Sequence, residues 1–168
     1  MAKHGEAPLE SAHQQAADSD IVLDELIGYA LRRAQIQVFQ HLVEQLNEFD
    51  LRPAQFSALA IIDQNPGPTQ TDLARSLAID PPQVVPMLNK LEALGLALRV
   101  RSKLDKRSYG LYLSKAGEAL LKRLKGVAAQ SDIAATANLT PQERAQLLGL
   151  LQKIYQPAPE VEDQSTQD

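Results

Sequence analysis

Basic side chains are concentrated in one part of this 168-residue sequence. Between Lys90 and Lys125 there are ten lysines or arginines and three acidic residues, a net charge of +7. The remainder of the chain carries seven basic and eighteen acidic residues, a net charge of −11. Such a block attracts an anionic partner, while the acidic remainder favours solubility. We therefore expect an anionic partner at this block; a solvated helix face is the alternative interpretation.

Catalysis and metal binding have little support among the residues. The absence of cysteine excludes disulfides, thiolate catalysis and sensing by thiol oxidation. His4 and His13 lie in a segment without a sustained pattern, and His41 has no second histidine with which to form a metal pair. The sequence contains no glycine-rich phosphate loop and no nucleophile elbow. We expect a protein that is not an enzyme and has no metal or cofactor.

The segment after Asp80 predicts a helix with one apolar stripe and one outward face. Asp80 followed by proline is a favoured helix start. The inner stripe consists of Val84, Met87, Leu88, Leu91 and Leu94. The outward face consists of Gln83, Val85, Pro86, Asn89 and Lys90. Glutamine bonds adenine edges, valine contacts a thymine methyl group and lysine holds a phosphate, so this face suits DNA.

Pro86 is an unusual residue for the interior of such a helix. Pro81 and Pro82 fit the first turn, where no backbone donor is lost. Pro86 lies a turn deeper and removes the hydrogen bond to the Pro82 carbonyl, at about 3 kcal/mol in a regular helix. We therefore expect a kink or a delayed helix start, with DNA shape or thymine contacts replacing some hydrogen bonds.

After Gly95 the hydrophobic period changes from helical to two, which predicts two strands. In the first strand Leu96, Leu98 and Val100 alternate with Ala97, Arg99 and Arg101; in the second, Tyr109, Leu111 and Leu113 alternate with Gly110 and Tyr112. The loop between them carries Lys103, Asp105, Lys106 and Arg107. This pattern predicts a hairpin with a basic tip, in which the charges of Arg99 and Arg101 add on one strand face.

Helical periodicity predicts the elements that position this hairpin. Helices are expected over residues 21–49, 52–64, 70–78, 115–129 and 141–155, besides the one from Pro81. Thr69 and Thr140 are expected to cap the helices that follow them, and Gly95 is expected to end the helix from Pro81. Helix, helix, short turn, helix and basic hairpin is the order of a winged helix-turn-helix. The fold class is therefore expected to be mainly α with a small β-hairpin wing. Two apolar strips on the long first helix indicate contact with a second chain as well as with its own core.

The chain resembles the MarR family of bacterial transcriptional regulators. The resemblance is carried by TQTDLARSLAID, LEALGL and DKRSYGLYLSKAG within residues 51–121, and the flanking helices extend it to 21–156. It implies a homodimer joined through segments 20–50 and 115–156, and a DNA-binding lobe over 51–114 that binds a palindromic double-stranded operator. It further implies repression relieved by a small, often aromatic, effector bound between the dimerisation helices and this lobe.

Particular residues match the family pattern and others depart from it. Asp105 and Arg107 match an Asp-x-Arg wing motif, in which the acid orients an arginine that enters the minor groove; a surface ion pair is the alternative. The family's recognition helix usually begins with small hydroxyl residues and carries an arginine, whereas this segment reads PPQVVPMLNK. We therefore expect this helix to read bases less well through hydrogen bonds. The alternative function is a winged-helix module that binds ligands or proteins but no operator.

The predicted first helix also offers residues for the effector. They are Tyr29, Arg32, Arg33, Phe39 and His41. An arginine beside an aromatic ring anchors the carboxylate of a ligand, while the ring packs on the apolar body of that ligand. For each of these residues taken alone, a purely structural role is the alternative. Relatives that share the opening Arg52–Phe56 suggest control of aromatic-acid catabolism. The effector is then an aromatic acid or its coenzyme A thioester, whose phosphates would compete with DNA for the basic block.

Both ends of the chain are expected to be unstructured. Residues 1–19 have no sustained period, and residues 157–168 carry four acids, two prolines and no base. The longest aliphatic run, Ala58–Ile62, is far shorter than the roughly 20 residues that span a bilayer. The first twenty residues lack the apolar core of a secretory signal. We therefore expect a cytoplasmic protein with no membrane partner.

Overall fold

Six α-helices and one β-hairpin form the described part of the chain, residues 22–101 and 108–156, in a computed structural model. The chain divides into two units, residues 1–36 and residues 37–168. The helices are α1 (Ile27–Asn47), α2 (Pro53–Gln64), α3 (Gln70–Leu77), α4 (Pro81–Ala93), α5 (Lys115–Ala135) and α6 (Pro141–Tyr155); the strands are β1 (Ala97–Arg101) and β2 (Tyr109–Leu113). This order confirms the predicted winged helix-turn-helix. In the described segments, no helix combines the length and apolar character that a bilayer span requires.

Two helix boundaries differ from those predicted. The first α-helix begins at Ile27 rather than near residue 21, because a 3-10 turn over Leu23–Glu25 is flanked by extended backbone at Val22 and Leu26. The side chains around this turn are exposed, so packing does not support another α-helical turn there. At the other end of the fold, α5 continues to Ala135 rather than ending near residue 129.

The core of the second unit lies where α2, α3, α4, α5 and the hairpin meet. Its fully buried side chains include Leu59, Ile62, Leu73, Leu88, Leu91, Leu111 and Leu121. The stripe predicted for α4 is confirmed at Val84, Met87, Leu88 and Leu91. Leu94 is instead exposed, because the helix ends at Ala93 and Leu94 serves as its C-cap.

Gly95 ends α4 and starts the wing. It adopts a φ of 69°, and the N–H of Leu96 donates to the carbonyl of Leu91 at 2.9 Å. Glycine adopts this left-handed conformation without the steric penalty that a Cβ atom brings, as the sequence predicted for this helix end. Ser114 then fixes the start of α5 to the same turn: its N–H donates to the Leu96 carbonyl at 3.0 Å and its hydroxyl to the Gly95 carbonyl at 2.6 Å.

The hairpin has the predicted strands, but the buried face of β1 was predicted wrongly. The register pairs Ala97 with Leu113 and Arg99 with Leu111. Directly paired residues share a face, so Ala97 and Arg99 lie on the side of the buried Leu111. Leu98 and Val100, the apolar residues of the alternation, are each 49% exposed.

A capping box holds the start of α3. The N–H of Asp72 donates to the hydroxyl of Thr69 at 3.2 Å, and the N–H of Thr69 donates to the Asp72 carboxylate at 3.0 Å. The Thr69 hydroxyl also donates to that carboxylate at 2.7 Å. These hydrogen bonds, the hydroxyl first, lower the pKa of Asp72 below its ordinary value.

Removing the Thr69 hydroxyl is expected to raise the pKa of Asp72 and weaken α3. Because the carboxyl pKa is lower in the folded chain, this stabilisation is present above the unfolded pKa and is lost as pH falls through the folded pKa. Thr69→Ala should lower the melting temperature at pH 7 by about 2–4 °C. Carboxyl NMR titration and thermal melts measure both effects. Thr69→Ser, which keeps the hydroxyl, should behave like the wild type, and an unchanged Asp72 pKa in Thr69→Ala would contradict the assignment.

Candidate nucleic-acid interface

The helix-turn-helix consists of α3, a short connection and α4. Ala78 adopts a left-handed conformation with φ of 51° after α3, and Asp80 precedes the first residue of α4. Of the two alternatives expected for this helix, the delayed start is wrong, because α4 is helical from Pro81 and continues through Pro86. The kink at Pro86 stays a prediction. The buried stripe of α4 supplies the packing that offsets the backbone hydrogen bond lost at Pro86.

The outer face of α4 exposes most of the residues predicted for it. Gln83, Val85, Pro86 and Asn89 are exposed, and Lys90 is half-buried. Gln83 and Asn89 supply donors and acceptors, whereas Val85 and Pro86 form an apolar patch that suits a thymine methyl group. The face therefore combines hydrogen bonding with apolar contact, and it contains no arginine.

Lys90 is paired within the chain. Its Nζ lies 2.7 Å from the carboxylate of Asp50, in the connection between α1 and α2. The Asp50 side chain is largely exposed, so water and salt weaken this pair. A DNA phosphate at Lys90 would have to compete with this carboxylate.

Neutralising Asp50 is therefore expected to strengthen DNA binding. Asp50→Asn removes one negative charge beside α4 and releases Lys90, which should raise affinity for any duplex about threefold to tenfold at low salt and steepen the salt dependence. Fluorescence anisotropy across a salt series measures both quantities. Asp63→Asn is the matched control, because Asp63 pairs with Lys125 at 2.7 Å rather than with a residue of α4. An equal gain in both variants would indicate a general charge effect instead.

Arg99 is paired within the chain. Its Nη1 donates to the carboxylate of Glu92, and its Nη2 donates to the Oδ1 of Asn89 at 3.0 Å. The predicted addition of the two arginine charges is therefore wrong at Arg99, whose charge is offset by Glu92. Arg101 is exposed at the end of β1. The predicted loop residues Lys103, Asp105, Lys106 and Arg107 lie outside the described residues.

A hydroxyl-rich pocket beside the wing was not predicted from the sequence. It has a volume of about 230 Å³ and is lined by Thr69, Gln70, Thr71, Ser108 and Tyr109. Hydroxyl and amide groups are common donors to DNA phosphates. The hydroxyls of Thr69 and Thr71 are the available signal, but the sequence pattern predicts only a helix cap at Thr69.

Comparison with known proteins decides the family. The model described as MarR family matches residues 51–109. Over 156 residues, the chain is 30% identical to a transcriptional regulatory protein for the hcr operon of Thauera aromatica, covering 92% of this chain and 93% of that relative. The chain belongs to the MarR family.

Two solved structures of a transcriptional repressor are similar to this chain. The transcriptional repressor CouR bound to a 23-mer DNA duplex is 41% identical, with a TM-score of 0.73 over 81% of this chain and 99% of that one. CouR bound to p-coumaroyl-CoA is 38% identical, with a TM-score of 0.73 over 84% of this chain and 99% of that one. As a MarR-family transcriptional regulator, the chain is not an enzyme, as the sequence predicted.

In the first unit of this MarR-family chain, two of the predicted effector residues meet. The Nη1 of Arg33 donates to the hydroxyl of Tyr29 at 3.1 Å, and its guanidinium lies 5.8 Å from the centre of the Tyr29 ring. The hydrogen bond with Tyr29 raises the pKa of Arg33. Arg32 is exposed on the same helix.

In the second unit, His41 lines a polar cavity between α1 and α5, whereas Phe39 is exposed. The cavity has a volume of about 180 Å³, and its other lining residues are Gln45, Val127, Gln130, Ser131 and Ala134. Ser131 is only 4% exposed, and its Oγ has no hydrogen-bond partner among the described residues. Burial raises the pKa of the neighbouring Asp132. The sequence pattern missed Ser131 because a serine in a helix is usually a surface residue.

Proposed function

We propose that this chain is a homodimeric repressor that binds a palindromic operator and leaves it when an aromatic acid, as its coenzyme A thioester, binds. The observation that carries the proposal is the 41% identity to CouR, which has been solved both with DNA and with p-coumaroyl-CoA. A protein that acts on an operator works where the bacterial DNA lies, so we infer a cytoplasmic location.

The DNA-binding step is supported by the exposed face of α4 and by the basic wing. A helix held by two others fits the major groove, and a hairpin with arginine near its tip reaches the minor groove. We propose contacts from Gln83, Val85, Pro86, Asn89 and Lys90 of α4, and from Arg101, Lys103, Lys106 and Arg107 of the wing, with Asp105 orienting Arg107. Because Lys90 and Arg99 are paired within the chain, we propose that the wing loop supplies the main phosphate contacts.

The homodimer is supported by apolar side chains that nothing in the described chain covers. None of the residues of α6 is buried, although the helix is rich in leucine. The exposed apolar residues of α6 are Leu147, Leu148, Leu150, Ile154 and Tyr155. Further exposed apolar residues of the first unit are Val22, Leu23, Leu26, Ile27 and Ile36. Exposed apolar residues in such numbers mark an interaction surface in each unit, and we propose that a second copy of the chain covers them.

Two candidate groups of residues support the effector step, and each lies within a single unit. Arg33 beside Tyr29 offers a permanent positive charge next to a ring, which suits a phosphate or carboxylate. The cavity at His41 is similar in size to one of about 150 Å³ that holds benzene. It is therefore large enough for one aromatic ring but too small for a nucleotide. We propose that it takes the acyl head, with Ser131 bonding an oxygen of that head.

The test is fluorescence anisotropy on a labelled fragment from upstream of the chain's own gene, against a shuffled fragment and across a salt series. Specific binding should exceed the shuffled control by about a thousandfold or more, with a steep salt dependence. Saturating p-coumaroyl-CoA should then release the fragment, whereas coenzyme A alone should not. Release by free p-coumarate with no effect of the thioester would overturn the effector assignment.

The alternative function is a winged-helix module that binds ligands or proteins but no operator. Pro86 within α4 is the observation that favours it. Pro86→Arg discriminates between the two functions: a large gain in DNA affinity would indicate that α4 has lost operator binding, and a loss would indicate that Pro86 belongs to a working surface.

A further inference from the structure

Arg99 links the first strand of the wing to the outer face of α4. Its guanidinium donates to the Oδ1 of Asn89 at 3.0 Å and to the carboxylate of Glu92. The Arg99 side chain is 21% exposed, so this arrangement is screened less than an open surface pair. Because the donors of a guanidinium form a rigid planar fork, bonding to both partners holds all three side chains in one arrangement.

This contact determines which end of the Asn89 amide is available to a ligand. Asn89 is exposed on the outer face of α4, among the other residues that face away from the core. Its carbonyl oxygen is turned towards Arg99, so its amide nitrogen, with two N–H donors, is directed elsewhere. An asparagine held in this way is a better donor than acceptor.

Adenine and guanine differ in the hydrogen-bonding groups that they require from an asparagine in the major groove. Bidentate pairing of asparagine with adenine uses the carbonyl oxygen and the amide together. Guanine instead presents two acceptors, O6 and N7, which require only N–H donors. The position of Arg99 therefore favours guanine over adenine opposite Asn89.

We propose that Arg99 is a positioning residue for DNA recognition, acting through Asn89 to select guanine over adenine at one position of each operator half-site. The inference rests on the proposed function, since it requires α4 to enter the major groove. It differs from a role as a phosphate contact, because a phosphate contact changes affinity for all sequences alike. It also differs from a purely structural brace, which would change stability without changing base preference.

The experiment is selection from a pool of randomised duplexes with the full chain, followed by sequencing of the bound fraction. Wild type, Asn89→Ala, Arg99→Met and the double variant are compared at each base position. Arg99→Met, which keeps an unbranched stem and removes the donors, should reduce the preference for guanine over adenine at one position per half-site by about fivefold or more. Asn89→Ala should lose preference at the same position, and adding Arg99→Met to it should change nothing further.

Arg101→Met is the matched control, because it removes the same charge two residues along the same strand. It should weaken binding to all duplexes and leave the base preference unchanged. Thermal melting establishes that each variant is folded. Should Arg99→Met unfold, Arg99→Lys replaces it, because lysine keeps the charge but lacks the planar fork of donors. Arg99→Lys should still lose part of the preference for guanine over adenine.

Two results would overturn the inference. In one, folded Arg99 variants keep the wild-type preference at every position; in the other, they weaken binding uniformly, as Arg101→Met does. The proposed function fails separately, and the inference with it, if the wild-type chain itself enriches no sequence.

Discussion

Replacing Gly117 with alanine is expected to destabilise the second unit severely. A Cβ atom at Gly117 would lie 2.0 Å from the carbonyl oxygen of Leu96 and 3.0 Å from its carbon. These are backbone atoms of the turn to which Ser114 fixes the start of α5, so they cannot move aside as a side chain would. Overpacking of a core costs about 1–3 kcal/mol and occasionally more, and this contact belongs at the upper end. Urea unfolding monitored by circular dichroism measures the loss.

Gly126→Ala is the control for this variant, because the two glycines share one helix. A Cβ atom at Gly126 meets nothing within 4 Å. Alanine there should stabilise α5 by up to about 1 kcal/mol, since it gains helix propensity at no steric cost. Equal effects of the two substitutions would contradict the close approach of α5 to Leu96. DNA binding should fall only in Gly117→Ala, whose clash displaces the base of the wing.

Placing a carboxylate at Ile154 is expected to dissociate the proposed homodimer and abolish the tight operator binding that we propose for it. Ile154 is 63% exposed in α6 and belongs to the apolar surface that we assign to the second copy of the chain. Burying an unpaired charge in that interface costs several kcal/mol, which exceeds what a modest dimer interface can offset. Two linked DNA-binding lobes owe their avidity to simultaneous binding, so a monomer should lose about a hundredfold or more in operator affinity.

The measurement is light scattering after size exclusion, followed by anisotropy with the operator fragment. Ala145→Glu adds the same charge to α6 but lies nine residues earlier, half a turn around the helix from Ile154. Ala145 is exposed, and this control should leave both dimer and affinity unchanged. A dimeric Ile154→Glu protein would show that α6 does not form the interface.

Local signals predicted most of the fold correctly because they act within a few residues. The capping residues Thr69 and Thr140 each accept the backbone N–H three residues on, and Gly95 ends α4 in the left-handed conformation. Helix ends of this kind depend on backbone groups that only neighbouring residues can satisfy. The three-residue connection between α3 and α4 follows from the same signals, and with it the helix-turn-helix.

Predictions based on apolar periodicity were less accurate where small residues do the packing. The buried stripe of α5 runs on from Leu124 through the partly buried Ala128 to the buried Ser131. Alanine and serine carry little hydrophobic signal, so the pattern ended the helix near residue 129. The start of α1 was missed for the opposite reason: apolar residues at helical spacing before Ile27 do not form an α-helix without packing against them.

By itself the sequence determined the family, the order of helices and strands, and the exposed face of α4, since each depends on neighbouring residues or on helical period. Only the tertiary structure decided which face of β1 is buried and which charges are available. A period of two specifies alternation but not the inner face, which cross-strand pairing with Leu111 decides. Likewise Lys90 meets Asp50, forty residues away, and Arg99 meets Asn89 and Glu92 on another element. Such pairs form by chain folding, so no spacing in the sequence reveals that they offset the charge of the basic block.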